Sequence, residues 1–135
     1  PDYAQVHNNL GHALAKRGRT DDAISHFRQA VRSEPGLAEA LNNLAHALAK
    51  KGLLDEAIEY YRRAVGAKAD YAQAHAGLGA LLMNRGQLDR ALSHFQEADR
   101  LQPDQPMTLN GMAWILATHP DANVRRPQEA VVAWE

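Results

Sequence analysis

The chain has no cysteine, which excludes disulfides, thiolate metal sites and a cysteine nucleophile. It has no surplus of either charge: 15 Lys and Arg stand against 16 Asp and Glu, a formal net charge of −1 with histidine neutral. Nucleic-acid binding calls for a basic stripe, and a membrane surface calls for a polybasic or strongly amphipathic anchor. Neither is present, so no nucleic acid and no direct membrane contact are expected. No apolar run approaches the roughly 20 residues of a membrane span, and no signal peptide is visible. A soluble, cytoplasmic setting is the expectation, although missing cysteine does not by itself fix a compartment. No glycine-rich phosphate loop, nucleophile elbow or zinc-protease helix motif occurs, so no catalytic residue, cofactor or enzymatic activity is expected. The chain opens on Pro1 and stops inside a helical pattern at Glu135, as a piece of a longer protein would.

What the sequence does contain is a repeat. "NNLGHALAKRG" begins at Asn8 and "NNLAHALAKKG" at Asn42, 34 positions later; "AGLGALLMNRG" follows at Ala76 and "NGMAWILATHP" at Asn110. The second half of the unit recurs as "DDAISHFRQAV" at Asp21, "DEAIEYYRRAV" at Asp55 and "DRALSHFQEAD" at Asp89. A fixed period of this length marks stacked supersecondary units. His7, Leu10, Gly11 and Leu14 fall at the spacing of one helical face, as do Ala23, Phe27, Ala30 and Val31. Gly18, Gly52 and Gly86 divide the halves, where a left-handed residue can end a helix. Pro35 and Pro103 punctuate the second helices, and Asp2, Asp70 and Asp104 are expected N-caps of the first. Gly11, Ala45, Gly79 and Ala113 occupy one small-residue slot and Ala23, Ala57, Ala91 and Ala130 another. Phe27, Tyr61, Phe95 and Trp134 form an aromatic series between hairpins. One hairpin cannot bury such faces alone, but stacked neighbours can.

These residues resemble the tetratricopeptide repeat. The first unit carries the pattern as Leu10, Gly11, Leu14, Gly18, Ala23, Phe27, Ala30 and Pro35, and the third as Leu78, Gly79, Leu82, Gly86, Ala91, Phe95, Ala98 and Pro103. The resemblance implies an all-α, right-handed solenoid of antiparallel helix hairpins in one domain, with repeats near 2–35, 36–69, 70–103 and 104–135. Three departures stand out. Ala69 replaces the terminal proline of the second unit with Gly66 just before it, so that helix is expected to run on or fray. His7 and His75 stand where the family often has Trp. The fourth unit is irregular, with 14 positions from Leu116 to Ala130 against 9 from Leu14 to Ala23. The inserted "THPDANVRRP" is expected to be a loop with Pro127 in the first turn of a last helix. It is similar to the closing repeats of many bacterial arrays. A docking loop using Arg125 and Arg126 is the alternative.

Seven histidines require a metal site to be weighed. His12 and His46 are one period apart, but the next copies are Ala80 and Trp114, and two ligands do not close a zinc site. No metal is expected. His26 and His94 read as partly exposed helix residues.

In such solenoids the first helices line the concave side. That places Gln5, Asn8, Asn9, His12 and Lys16 of the first repeat, and Glu39, Asn42, Asn43, His46 and Lys50 of the second, in a candidate peptide groove. Gln73, Gly77, Ala80 and Asn84 of the third follow, then Met107, Asn110, Gly111 and Trp114 of the fourth. Asparagine both donates and accepts, so it can pair with any peptide backbone. Asn9 and Asn43 match the asparagine ladder of the superhelical repeats of the O-linked sugar transferase, which implies an extended peptide; the ladder stops at Gly77 and Gly111. Co-chaperones of the family clamp acidic C-terminal tails with two asparagines and three basic residues, and here Gln5, Gln73 and Gly77 stand in the basic slots. Loss of charge-assisted bonds predicts no binding of such tails. Lys16, Arg17, Lys50, Lys51 and Arg85 gather at one edge and would favour acidic side chains in a partner. The expected role is a non-catalytic scaffold for a protein or extended peptide. Three alternatives stay open: a solvated face whose partner binds elsewhere, homo-association through repeat ends carrying Val131, Val132 and Trp134, and a docking region of a larger enzyme such as a sugar transferase.

Overall fold

Glycine sets the hairpin geometry. In the computed structural model, which describes residues 3–125, Gly18, Gly52 and Gly86 adopt φ of 78°, 87° and 77°. The Arg19 N–H donates to Leu14 C=O at 3.0 Å and the Gly18 N–H to Ala15 C=O at 3.0 Å, the paired bonds of a Schellman stop. Leu53 to Leu48 and Gln87 to Leu82 repeat the longer bond at 2.9 Å each. Around these stops lie α1 (Tyr3–Lys16), α2 (Thr20–Ser33), α3 (Ala38–Lys50), α4 (Leu54–Ala67), α5 (Ala72–Asn84), α6 (Leu88–Leu101) and α7 (Pro106–Thr118). No strand occurs among the described residues. Asp2, Arg126, Pro127, Ala130, Val131, Val132 and Trp134 lie outside them.

Acidic residues open the second helices (Asp21 and Asp22, Asp55 and Glu56, Asp89), where the helix dipole favours negative charge. Pro106 sits in the first turn of α7, where its missing N–H costs nothing. The expected caps Asp70 and Asp104 are not used. The cap positions of α3, α5 and α7 are Leu37, Tyr71 and Gln105, without a side-chain cap bond. Asp104 instead takes a left-handed φ of 65° and donates its N–H to Asp99 Oδ1 at 3.3 Å; aspartate tolerates that conformation better than most residues. The expectation that α4 runs on or frays also fails. It stops at Ala67, in register with Ser33 and Leu101, and the Lys68 N–H still reaches Ala64 C=O at 2.9 Å. Extended backbone at Lys68 ends the helix without proline.

The chain packs as two compact units, Pro1–Asp70 and Tyr71–Glu135. In the first, α1 packs on α2, α3 on α4, and α3 also meets both α1 and α2. Its core holds Phe27, Leu41, Leu44, Leu48, Ile58 and Tyr61, with Ala23, Ala45 and Ala57 at 0% exposure where helices approach closely. Burying each of these leucines contributes about 1.5–3 kcal/mol. In the second unit, α6 lies against both α5 and α7. Phe95 is wedged between two glycines: an added Cβ at Gly79 would come within 3.1 Å of its ring, and one at Gly111 within 2.5 Å.

Leu10 departs from the expected core face. It is 44% exposed, and α1 buries Ala4, Asn8 and Gly11 instead. The equivalent Leu44 is fully buried because α3 has the preceding hairpin to pack on. No described helix covers that side of α1.

Candidate functional site

On α1, Gln5, Asn9, His12 and Lys16 follow steps of four, three and four, and so share one face. Asn9, His12 and Lys16 are exposed and Gln5 is half-buried. Gln5 Nε2 donates to Asn9 Oδ1 at 3.0 Å, which orients the Asn9 amide. On α3 the matching row is Glu39, Asn43, His46 and Lys50, with Asn43 half-buried and the others exposed. Since α1 and α3 touch, two nearly identical polar rows stand side by side in the first unit.

Asn8 and Asn42 do not belong to these rows. They are 3% and 7% exposed and lie inside the packing. One position along a helix turns a side chain by about 100°, enough to send neighbouring asparagines to opposite environments. Asn43 Nδ2 donates to Asn8 Oδ1 at 2.9 Å, so this amide joins the first helices of two repeats. Asn42 Oδ1 is buried and has no hydrogen-bond partner among the described residues. The position one period beyond Asn43 is Gly77, which has no side chain to offer.

His46 reaches solvent, but protein packed around its ring holds its pKa below the usual histidine value, and the Lys50 charge one turn on adds to the shift. It therefore stays neutral at a pH where an ordinary imidazole begins to charge. Lys16, Arg17 and Lys50 are exposed, while Lys51 pairs with Asp21 at 2.5 Å.

In the second unit, Gln73 and Asn84 on α5 are exposed and Gly77 is half-buried. On α7, Asn110 is exposed, Met107 is 54% and Trp114 51% exposed. Met107 and Trp114 are two turns apart on one face, an apolar counterpart to the amide rows. Gly111 leaves the expected set, because it is buried against Phe95. After α7 the chain is irregular through 119–125, as the insertion implied. His119, 7% exposed, anchors it: the Asp121 N–H donates to His119 Nδ1 at 3.0 Å, which leaves His119 Nε2–H to donate to Asp89 Oδ1 at 2.8 Å. Arg125 donates back to the His119 carbonyl at 3.5 Å.

Sequence reasoning missed two histidine pairs. His7 Nδ1 lies 3.1 Å from His26 Nδ1, and His75 Nδ1 lies 3.1 Å from His94 Nδ1. Their ring centroids are 5.3 Å apart in both cases, and Tyr3 stacks on His7 at 5.1 Å. The signal was available. Both pairs span 19 positions, and the second repeat changes both members together, to Leu41 and Tyr60.

Two tetratricopeptide repeat family models match the chain, one over residues 8–72 and one over 48–115. The chain belongs to the tetratricopeptide repeat family. Solved structures of tetratricopeptide type resemble it as well. The first such domain of Spaghetti (RPAP3), bound to the HSP90 peptide SRMEEVD, has a TM-score of 0.81 at 22% identity, covering 84% of this chain and 90% of that one. The second domain of human RPAP3, with the HSP70 peptide SGPTIEEVD, gives 0.77 at 22% identity, covering 84% and 94%. MamA gives 0.83 at 22% identity, covering 99% of this chain and 75% of that one. At this identity the likeness is one of fold, the all-α helical-hairpin solenoid. No curated protein matches the sequence. No helix among the described residues is long and apolar enough to cross a membrane.

Proposed function

We propose that this chain is a non-catalytic scaffold that binds an extended segment of a partner protein along the exposed faces of its first helices. One observation carries the reading. Asn9, His12 and Lys16 and their counterparts Asn43, His46 and Lys50 present the same amide–imidazole–ammonium row on two touching helices. An extended strand repeats every two residues, and amides can pair with its backbone whatever its side chains. Lys16, Arg17 and Lys50 favour acidic side chains in that segment. Within the second unit, Met107 and Trp114 on α7 form an apolar surface of their own; exposed Trp is a frequent anchor in interfaces.

The peptides bound by the two RPAP3 domains support a peptide as the class of partner. They do not carry their own sequences over, since Gln5, Gln73 and Gly77 stand where a carboxylate clamp needs cations. Titration with SRMEEVD should therefore show no micromolar binding, and a micromolar fit would overturn that exclusion. Affinity capture with the wild type and with Asn9→Ala/His12→Ala/Lys16→Glu tests the main reading. The variant should lose its prey with unchanged unfolding, and the captured complex should weaken as salt rises. A prey retained by the variant would sink the proposal for the α1 face.

A second reading, self-association, rests on its own observation. Tyr3, Val6 and Leu10 are 65%, 58% and 44% exposed in one stripe of α1, whereas the equivalents of the latter two, Ala40 and Leu44, are at 0% beneath the preceding hairpin. Sedimentation of the wild type against Val6→Glu/Leu10→Arg decides it: a concentration-dependent dimer lost in the variant supports it, and a monomer in both removes it.

A further inference from the structure

Tyr3, Val6, Leu10 and Ala13 follow steps of three, four and three along α1, and Arg17 continues the row one turn further, just past the helix end. All five are exposed. One period later Ala40, Leu44 and Ala47 on α3 are buried against α1 and α2. Lys51, the counterpart of Arg17, pairs there with Asp21 at 2.5 Å. Within the second unit the row recurs as Thr108, Met112 and Ile115 on α7, buried against α5 and α6. It again ends in a polar link, His119 Nε2 to Asp89 Oδ1 at 2.8 Å. Asp21 and Asp89 hold one slot, the first turn of a second helix. The chain thus builds one interface twice. A row of first-helix side chains slides under a hairpin, and the residue at its far end engages the aspartate that opens the hairpin's second helix. On α1 the receiving half is complete and uncovered, and Arg17 enters no ion pair among the described residues.

We propose that this row on α1 is the docking face for a partner protein that presents a helix hairpin of the same repeat type, its second helix opened by an aspartate. The proposal rests on the exposure that also supports self-association, but it names a different occupant. A second folded copy has no such hairpin to offer among its described residues: Asp21 is held by Lys51, Asp89 by His119, and Asp55 is engaged as well. The fit has two parts. Burial of Val6 and Leu10 supplies the attraction, and the small Ala13 lets the helices approach closely, as Ala47 does on α3. Arg17 against the aspartate sets which way round the hairpin lies, since an exposed ion pair adds direction more than affinity.

The chain's own first hairpin serves as the probe. A second copy of residues 1–34 is joined ahead of Pro1, which keeps the 34-residue period and holds the hairpin at high effective concentration. The extended chain should gain the circular dichroism of two more helices. It should also melt several degrees above the original chain, because a docked repeat adds an interface. Leu10→Ala in the α1 that follows the join should lower the melting temperature of the extended chain by several degrees more than that of the original. Arg17→Glu in that α1 should destabilise the extended chain, and Asp21→Lys in the added copy should restore part of the loss by exchanging the charges. Sedimentation tells the two occupants apart. The original chain should stay monomeric, whereas a dimer lost in Val6→Glu/Leu10→Arg would support self-association and overturn this assignment. An added hairpin that brings no helix or no rise in melting temperature, an equal Leu10→Ala penalty in both chains, or a charge exchange without recovery would each overturn it too.

Discussion

Replacing Asn43 by Ala removes the amide on which a buried group depends. Asn8 is 3% exposed, and its Oδ1 accepts a hydrogen bond from Asn43 Nδ2 at 2.9 Å. Without that donor the Asn8 carbonyl stays buried and unsatisfied, which costs about 1–3 kcal/mol. Asn9 occupies the same slot one period earlier, yet it is exposed and its partner Gln5 is on the same helix. Asn9→Ala should thus change stability by no more than about 0.5 kcal/mol. The comparison is informative because residue type, helix position and substitution are all the same. Urea unfolding followed by circular dichroism measures both, fitted with separate repeat and interface contributions because repeat arrays couple to nearest neighbours. The double substitution Asn8→Ala/Asn43→Ala should recover part of the Asn43→Ala loss, since no buried carbonyl is then orphaned. Equal destabilisation by Asn9→Ala and Asn43→Ala would refute the account. If it holds, binding lost in an Asn43 variant reports repeat docking as well as partner contact, and Asn9, His12 and Lys16 are the cleaner probes.

Other consequences follow from the packing and the charges. An added Cβ at Gly11 would lie 2.6 Å from Phe27 Cε1 and 3.2 Å from Ala23 O, whereas one at Gly79 meets Phe95 at 3.1 Å. Overpacking of about 1–3 kcal/mol should outweigh the gain of about 1 kcal/mol from replacing helical glycine at Gly11→Ala, and nearly cancel it at Gly79→Ala; equal shifts in the urea midpoint would count against this. Leu44→Ala should cost about 2–5 kcal/mol and Leu10→Ala under about 1 kcal/mol, so similar melting temperatures for the two variants would contradict the different burial of one slot. His46 has a lowered pKa in the fold, so the unfolded chain takes up a proton first as pH falls below about 6.5. Its contribution is complete above that value and is lost as pH drops toward the folded pKa. His46→Gln should flatten the acid side of the stability–pH curve, and an unchanged curve would show that the shift has no weight in folding.

The 34-residue period, the hairpin and the glycine stop were legible because they rest on local rules. Helical spacing, a left-handed glycine and an excluded proline act within a few residues, and Gly18, Gly52 and Gly86 obey them. The end of α4 shows where such rules overreach: Ala69 lacks proline's constraint, yet extended backbone at Lys68 stops the helix in the same register as α2 and α6.

What the sequence alone determined, then, is the repeat, its family and the rows of polar residues available for a partner. The tertiary structure decided which members of those rows are usable. Asn8 and Asn9 are adjacent and identical, but one helical step separates an amide consumed between repeats from one facing solvent. Leu10 and Leu44 occupy one slot, and only the second has a preceding hairpin to cover it. His7 and His26 read as unrelated helix residues until two antiparallel helices brought their rings into contact. In each case the deciding quantity is what lies on the other side of the residue, and that is supplied by a neighbouring helix rather than by the chain to either side.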